Sequence, residues 1–196
     1  ESFARVEEPY ASPDGESVAA IVKVDEMAFS ICENGTAWDR HFDKIWFLRY
    51  GPDNRAAALV SDTALWTVAV AGKTWENWFE FAWDTKFGNR EGRISVAAQK
   101  EMRYFAVTDD NPWDTGFYNL NHLTASPDGA STAAVVQTRP IYEADIDDFQ
   151  KGCFTVAVNG RPWPENFLNI WEVAFDPEGK RVAAEARVNL RDYTIL

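Results

Sequence analysis

The stretch NGRPWPENFLNIW (Asn159–Trp171) sets two tryptophans and a phenylalanine beside an Asn-Gly pair. Taken alone it suggests an aromatic platform for a ligand. It has three sisters. Counting from Gly35, Gly72, Asp110 and Gly160, a tryptophan stands at the third position each time: Trp38, Trp75, Trp113 and Trp163. Four residues later come Phe42, Phe79, Phe117 and Phe167, and four further on Trp46, Trp83, Asn121 and Trp171. Self-similarity at a period near 40 residues is the mark of a repeat architecture.

Other features keep the same period. Turn-forming SPDG occurs at Ser12–Gly15 and Ser126–Gly129, with relatives GPDN (Gly51–Asn54), NREG (Asn89–Gly92) and DPEG (Asp176–Gly179). A small apolar run follows each turn, then a run led by an aromatic, such as WTVAV or FTVAV. Proline fixes φ in such turns, and Asn-Gly favours a tight hairpin because both its residues tolerate positive φ. Short runs rich in Val, Ile, Phe, Trp and Tyr between these breakers read as strands. Each unit is thus a meander: IWFLRY (Ile45–Tyr50), AAALV, WTVAV, and a brief strand at the tryptophan.

A repeated four-stranded antiparallel meander is the signature of a β-propeller blade. The predicted fold is all-β, a propeller of about five blades in one domain, with repeats near 4–42, 43–79, 80–117, 118–167 and 168–196. No stretch carries the apolar period of an amphipathic helix over three turns. The turn prolines lie ten residues after the repeat phenylalanines, and the same offset from Pro13 reaches Phe3. This leaves two readings, a closed ring whose last blade is completed by N-terminal residues, or a trimmed segment of a longer propeller. The first is preferred. One repeat carries an insertion, Thr138–Gln150, between its second and third strand runs, which predicts a surface loop.

Composition narrows the function. A formal net charge of −12 argues against nucleic acid and anionic lipid as partners and is compatible with a basic protein partner. No run approaches the roughly 20 apolar residues of a membrane helix, so direct membrane insertion is not expected. Cys32 and Cys153 form no metal-ligand spacing, no glycine-rich phosphate loop is present, and neither His41 nor His122 has a recognisable catalytic partner.

The SPDG turns and the aromatic meander resemble the repeats of TolB-like and WD40-like propeller proteins. The W-x3-F-x3-W element, the nine tryptophans and the acidic balance resemble the tryptophan-rich subunit of the transmembrane redox complex of sulfate-reducing bacteria. That resemblance implies a cofactor-free accessory subunit on the cytoplasmic side of an electron-transfer complex, with redox-complex subunits as partners and no catalytic residues. A periplasmic location is the alternative. The chain is shorter than that family's, which favours the trimmed-segment reading.

Candidate sites are therefore sought where the repeat breaks. Trp38, Trp75, Trp113 and Trp163 are expected to pack between blades, because a large ring at one place in every unit suits sheet stacking. Asn121 stands where the sister copies have tryptophan. In the insertion, Glu143, Asp145, Asp147 and Asp148 read as an acidic partner-docking loop rather than a calcium loop, which would need a glycine at its turn. Asp14, Asp53 and Asp128 sit in turns and are expected to serve backbone groups. The function expected is a non-catalytic protein-interaction scaffold. The alternatives are a glycan- or small-ligand-binding propeller using exposed tryptophans, and a hydrolase with paired carboxylates in the central funnel.

Overall fold

The computed structural model describes residues 2–89, 92–141 and 146–196. They form five antiparallel sheets in chain order. The first contains β1 (Arg5–Ala11), β2 (Val18–Asp25), β3 (Ala28–Glu33) and β4 (Thr36–Ala37); the second contains β5 (Lys44–Tyr50), β6 (Ala56–Asp62), β7 (Leu65–Val70) and β8 (Lys73–Thr74). The third contains β9 (Phe81–Phe87), β10 (Ile94–Lys100), β11 (Arg103–Thr108) and β12 (Asn111–Pro112). The fourth contains β13 (Asn119–Ala125), β14 (Thr132–Gln137), β15 (Phe154–Val158) and β16 (Arg161–Pro162). The fifth has three strands, β17 (Asn169–Phe175), β18 (Val182–Arg187) and β19 (Tyr193–Ile195). The insertion joins β14 to β15 and carries a five-residue helix, α1 (Ile146–Gln150), too short for a periodic pattern to reveal.

The second strands of the middle three sheets, β6, β10 and β14, are buried on both faces, which explains their alanines. Ala58 pairs with Ala69, Ala97 with Ala106 and Ala134 with Ala157, all at 0–1% exposure. Larger side chains there would hold neighbouring sheets apart. Four apolar clusters fill the four junctions between successive sheets. The repeat phenylalanines are buried in them, with Phe42 in the first junction and Phe79, Phe117 and Phe167 in the following ones. Trp38, Trp75, Trp113 and Trp163 are half-buried against the same clusters. The tryptophans thus pack between sheets, with one edge left at the surface.

The glycine turns explain how the sheets come so close. A β-carbon on Gly160 would sit 3.1 Å from Trp113 of the preceding sheet, and one on Gly72 would sit 3.7 Å from Trp38. In the third sheet the same position is Asp110, held at φ 68°. Its carboxylate accepts hydrogen bonds from the backbone N–H of Glu76 (2.7 Å) and of Asn77 (3.1 Å), on the preceding sheet. These bonds offset the cost of a left-handed non-glycine residue.

The SPDG copies fold alike. Ser12 and Ser126 each donate to the aspartate two residues on, at 2.6 Å, and accept from Ser17 N and Ser131 N at 2.9 Å. Successive turns also touch. Asn89 N donates to Pro127 O at 2.9 Å, and Gly179 lies against Ser126 and Pro127. Gly15 and Gly35, the counterparts in the first sheet, have nothing within 4 Å of where a β-carbon would be. Among the described residues no apolar cluster joins the first and fifth sheets, and no N-terminal strand completes the fifth. Among the described residues, the closure preferred from the Phe3 offset is therefore not seen. Phe3 has the right spacing but makes no bridge of the kind that its four sisters make.

Two outcomes test this packing. Trp163→Ala is expected to destabilise the chain by about 2–3 kcal/mol in denaturant unfolding, through lost junction contacts. At the first junction, Tyr50 donates to Glu33 Oε1 (3.1 Å), and Glu33 also accepts from Trp38 Nε1 (2.7 Å). Burial, followed by the charge of Glu33, pushes the Tyr50 hydroxyl up to about 12. The folded state therefore holds this proton more tightly than the unfolded chain does. The stability it contributes is intact below the ordinary tyrosine value of about 10 and is lost as pH rises towards about 12. Melting temperatures across that window should fall more steeply for the native chain than for Tyr50→Phe.

Candidate functional site

The first strand of each sheet breaks its ladder at the same place. Between Glu7 and Tyr10, Trp46 and Arg49, Trp83 and Lys86, and Asn121 and Thr124, the first strand has one residue more than its partner spans. The fifth sheet has its irregularity between Ile170 and Glu172. An extra residue of this kind is a β-bulge; it bends the strand and re-aims a side chain. In the first four sheets the residue just after the repeat Trp/Asn position is left-handed: Glu8 (φ 39°), Phe47 (54°), Asp84 (56°) and His122 (53°). None is glycine, and such a conformation costs of order 1–3 kcal/mol per residue. Strain repeated at one register in four units marks a surface that is held in shape by the surrounding sheets.

Two clefts open along these strands. The first, about 540 Å³, is lined by Glu7, Glu8, Trp46, Phe47, Arg49, Phe81 and Trp83 over a floor of Ile21, Ile45, Leu48 and Ala82. Its aromatic rings are unusually accessible, with Trp46 42%, Phe47 53% and Phe81 48% exposed. Trp46 stacks on Trp66 with centroids 4.3 Å apart, and Phe81 lies 6.2 Å from the same ring. The polar groups at its rim already have local partners. Glu7 pairs with Arg5 (2.7 Å), and Glu8 accepts from the Tyr10 hydroxyl (2.5 Å). The Arg49 guanidinium lies 4.2 Å from the Tyr10 ring centre and donates to Leu48 O. The Glu8 bond, with partial burial, raises the Tyr10 hydroxyl above its usual value.

The second cleft, about 550 Å³, is polar and is lined by Asp84, Lys86, His122, Thr124 and Glu172. Lys86 and Asp84 pair at 2.6 Å. Among the described residues, no three His, Cys, Asp or Glu side chains gather as a metal site would require. Cys32 and Cys153 are buried free thiols, and burial raises the Cys153 thiol further.

The sequence candidates fall as follows. Asn121 is exposed on β13, beside the bulge and next to His122. In the second, third and fifth sheets the residue at this register is a tryptophan packed against an aromatic of the third strand: Trp46 on Trp66 and Trp171 on Tyr193 (5.4 Å) with tilted rings, and Trp83 edge-on to Tyr104 (5.9 Å). Glu143 and Asp145 lie outside the described residues. Asp147 and Asp148 fall in α1, for which only the backbone is described at those two positions. Glu8, Phe47, Asp84 and His122 were not selected from sequence as a set. For Phe47, Asp84 and His122 the one signal is the position directly after the last residue of W-x3-F-x3-[WN]; Glu8 follows Glu7 and lacks it.

Repeated four-stranded meanders set side by side around such strands make this a β-propeller fold. The β-propeller domain of the Trilobed protease from Pyrococcus furiosus, whose structure is said to reveal an open velcro topology, is similar at a TM-score of 0.51 and 14% identity, over 99% of this chain and 68% of that one. The Dos1 propeller is similar at a TM-score of 0.50 and 10% identity, over 92% of this chain and 52% of that one. TolB from Acinetobacter baumannii gives a TM-score of 0.45 and 14% identity, over 98% of this chain and 51% of that one. The chain spans about half the length of the last two. At these identities the likeness concerns the fold alone. No family model matches the chain, and no curated protein sequence does. None of this supports the specific tie to a redox-complex subunit.

Exposed Phe47 and buried Leu48 are neighbours with opposite expected roles. Phe47→Gly should leave stability unchanged or raise it by up to about 1 kcal/mol, because glycine relieves the left-handed strain. Leu48→Ala, at 1% exposure, should cost about 2–5 kcal/mol. Equilibrium denaturation of both variants checks the contrast.

Proposed function

We propose that this chain is a non-catalytic interaction propeller that binds an apolar segment of a protein partner in the cleft between β5 and β9, the first strands of its second and third sheets. The observation that carries the reading is the exposure of Trp46, Phe47 and Phe81 together on two neighbouring strands. The junctions do not need these rings in solvent, and Phe47 is held there against its backbone preference. Aromatic anchors on a rigid frame are what protein interfaces concentrate at their centres.

A glycan platform is the weaker reading of the same rings. Sugars need several hydrogen-bonding groups as well as a stacking face, and here Glu7, Glu8 and Arg49 are already engaged by their own neighbours. A hydrolase would need a pair of carboxylates placed to act together on a substrate; in the polar cleft Asp84 is held by Lys86, which leaves Glu172. The net charge of −12 favours a partner with a basic rim, by steering association. Subunits of an electron-transfer complex are one instance of such a partner; the proposal does not depend on them.

The test is a comparison of the native chain with a Phe47→Ser/Phe81→Ser variant. Against an array of peptides with aromatic or leucine anchors flanked by Lys or Arg, the variant should lose at least about tenfold in affinity, the equivalent of ~1.4 kcal/mol, at an unchanged melting temperature. A tryptophan-fluorescence response to glycans, retained where peptide binding is absent, would overturn the reading.

A further inference from the structure

We propose that the turns joining the second strand to the third in the first three sheets form a docking surface for a basic amphipathic helix of a protein partner. Both methionines of the chain stand at these turns. Met27 lies between β2 and β3, Met102 lies between β10 and β11, and each is 80% exposed. Leu65, which closes the β6–β7 turn, is 42% exposed. Methionine is a natural filler of gaps in a core, yet here neither copy is used inside. The second and third sheets have a sheet packed on each side. Their turns project along the strands, away from those neighbours.

The tips are held out against backbone preference. The β6–β7 turn is Thr63-Ala64 and the β10–β11 turn is Glu101-Met102. All four residues are left-handed, at φ 49°, 65°, 52° and 58°. Asn-Gly makes a hairpin of this kind without strain, and the chain uses that pair at Asn159-Gly160, with φ 49° and 77°. Other residues in its place are strained, and such strain persists only where the surroundings fix it. Carboxylates fix both turns. Thr63 N donates to Asp43 Oδ2 (2.8 Å), and Glu101 N donates to Glu80 Oε1 (3.1 Å). The apolar side chains are thus carried on a rigid support.

Charge and spacing choose the occupant. The connectors that lead from one sheet to the next reach the same strand ends, through the bridges Phe29–Phe42, Trp66–Phe79 and Tyr104–Phe117. On these connectors and turns Asp39, Asp43, Glu76, Glu80, Glu101 and Asp114 are all exposed. The cations beside them are fewer: Arg40, paired with Asp62 (3.7 Å), Arg103, laid 4.0 Å from the Tyr118 ring centre, Lys44 and Lys100. Apolar tips among acids match a segment with an apolar face flanked by Lys or Arg. Turn tips offer no strand edge to extend, so the segment must satisfy its own backbone, as a helix does. Stacked sheets lie about 10 Å apart, and seven residues of α-helix rise by about the same distance. A helix laid across the sheets therefore sets residues i and i+7 over Leu65 and Met102. This surface is separate from the aromatic cleft and does not depend on it.

The probe is a synthetic peptide of about 18 residues, roughly five helical turns, made of leucine and lysine with leucines at i, i+3, i+4 and i+7. It is added to the chain isotope-labelled in its methionine methyl groups. The Met102 methyl signal should move and saturate at one peptide per chain. By calorimetry, Leu65→Ser/Met102→Ser should bind at least about tenfold more weakly at an unchanged melting temperature, because both side chains are exposed. Phe47→Ser/Phe81→Ser should bind as the native chain does; loss of binding there would seat the peptide in the aromatic cleft and overturn the proposal. An unmoved Met102 signal at saturating peptide would overturn it too, as would equal binding of a peptide of the same composition in which leucine and lysine alternate. A Met102 shift that grows with protein concentration and needs no peptide would assign the surface to a second copy instead. A shift with phosphatidylcholine vesicles and none with the peptide would assign it to a membrane. Either result would overturn the basic helix.

Discussion

Every sheet in this molecule has an apolar face that it cannot bury alone. The whole structure follows from how that face is covered by the next sheet. The covering is a joint with fixed parts: a buried phenylalanine, a half-buried tryptophan, and a turn glycine that lets the tryptophan of the preceding sheet approach. Alanine-rich second strands make room for it. Where the glycine is replaced by Asp110, the carboxylate bonds back across the joint to Glu76 and Asn77. The same contact is preserved by different means, which shows that the joint itself is what the repeat maintains.

The first strands of the sheets are under less demand from packing, and there the units diverge. Their bulges present Glu8, Phe47, Asp84 and His122 at one level, two carboxylates, an aromatic ring and an imidazole on one backbone device. The aromatic cleft lies among the first three sheets and the polar one among the third to fifth. A rigid frame that carries strained, dissimilar side chains along one line of strands is well suited to recognition, because ordering the binding surface costs little when a partner arrives.

Much of this was legible in the sequence. The W-x3-F spacing gave the repeat, and it could do so because the joint needs those rings at fixed offsets from a turn. Ala56–Val60 read as a crowded strand, and Thr138–Gln150 as an insertion between strands, because both leave local marks. The bulges left none. Nothing about Phe47 as a residue type signals positive φ, and the left-handed tendency of a histidine such as His122 is too weak to read without the ladder; the conformation is imposed by the register of β5 and β13 against their neighbours. Asn121 drew attention as a missing tryptophan, while the feature beside it, the bulge shared with three other sheets, is visible only in the ladder. The lack of closure among the described residues was also hidden. Phe3 has the spacing of a closing residue, but closure depends on whether two distant sheets meet, and local pattern does not encode that.

The central claim is that the Trp–Phe joint holds the molecule together. Native-state amide hydrogen exchange across the whole chain tests it most directly. The account predicts that Trp38, Trp75, Trp113 and Trp163 and the four joint phenylalanines are protected to nearly the level of global unfolding, while the Tyr193 amide exchanges at close to the rate of an open strand edge. Fast exchange at the four joints, with protection confined to the sheet interiors, would contradict it.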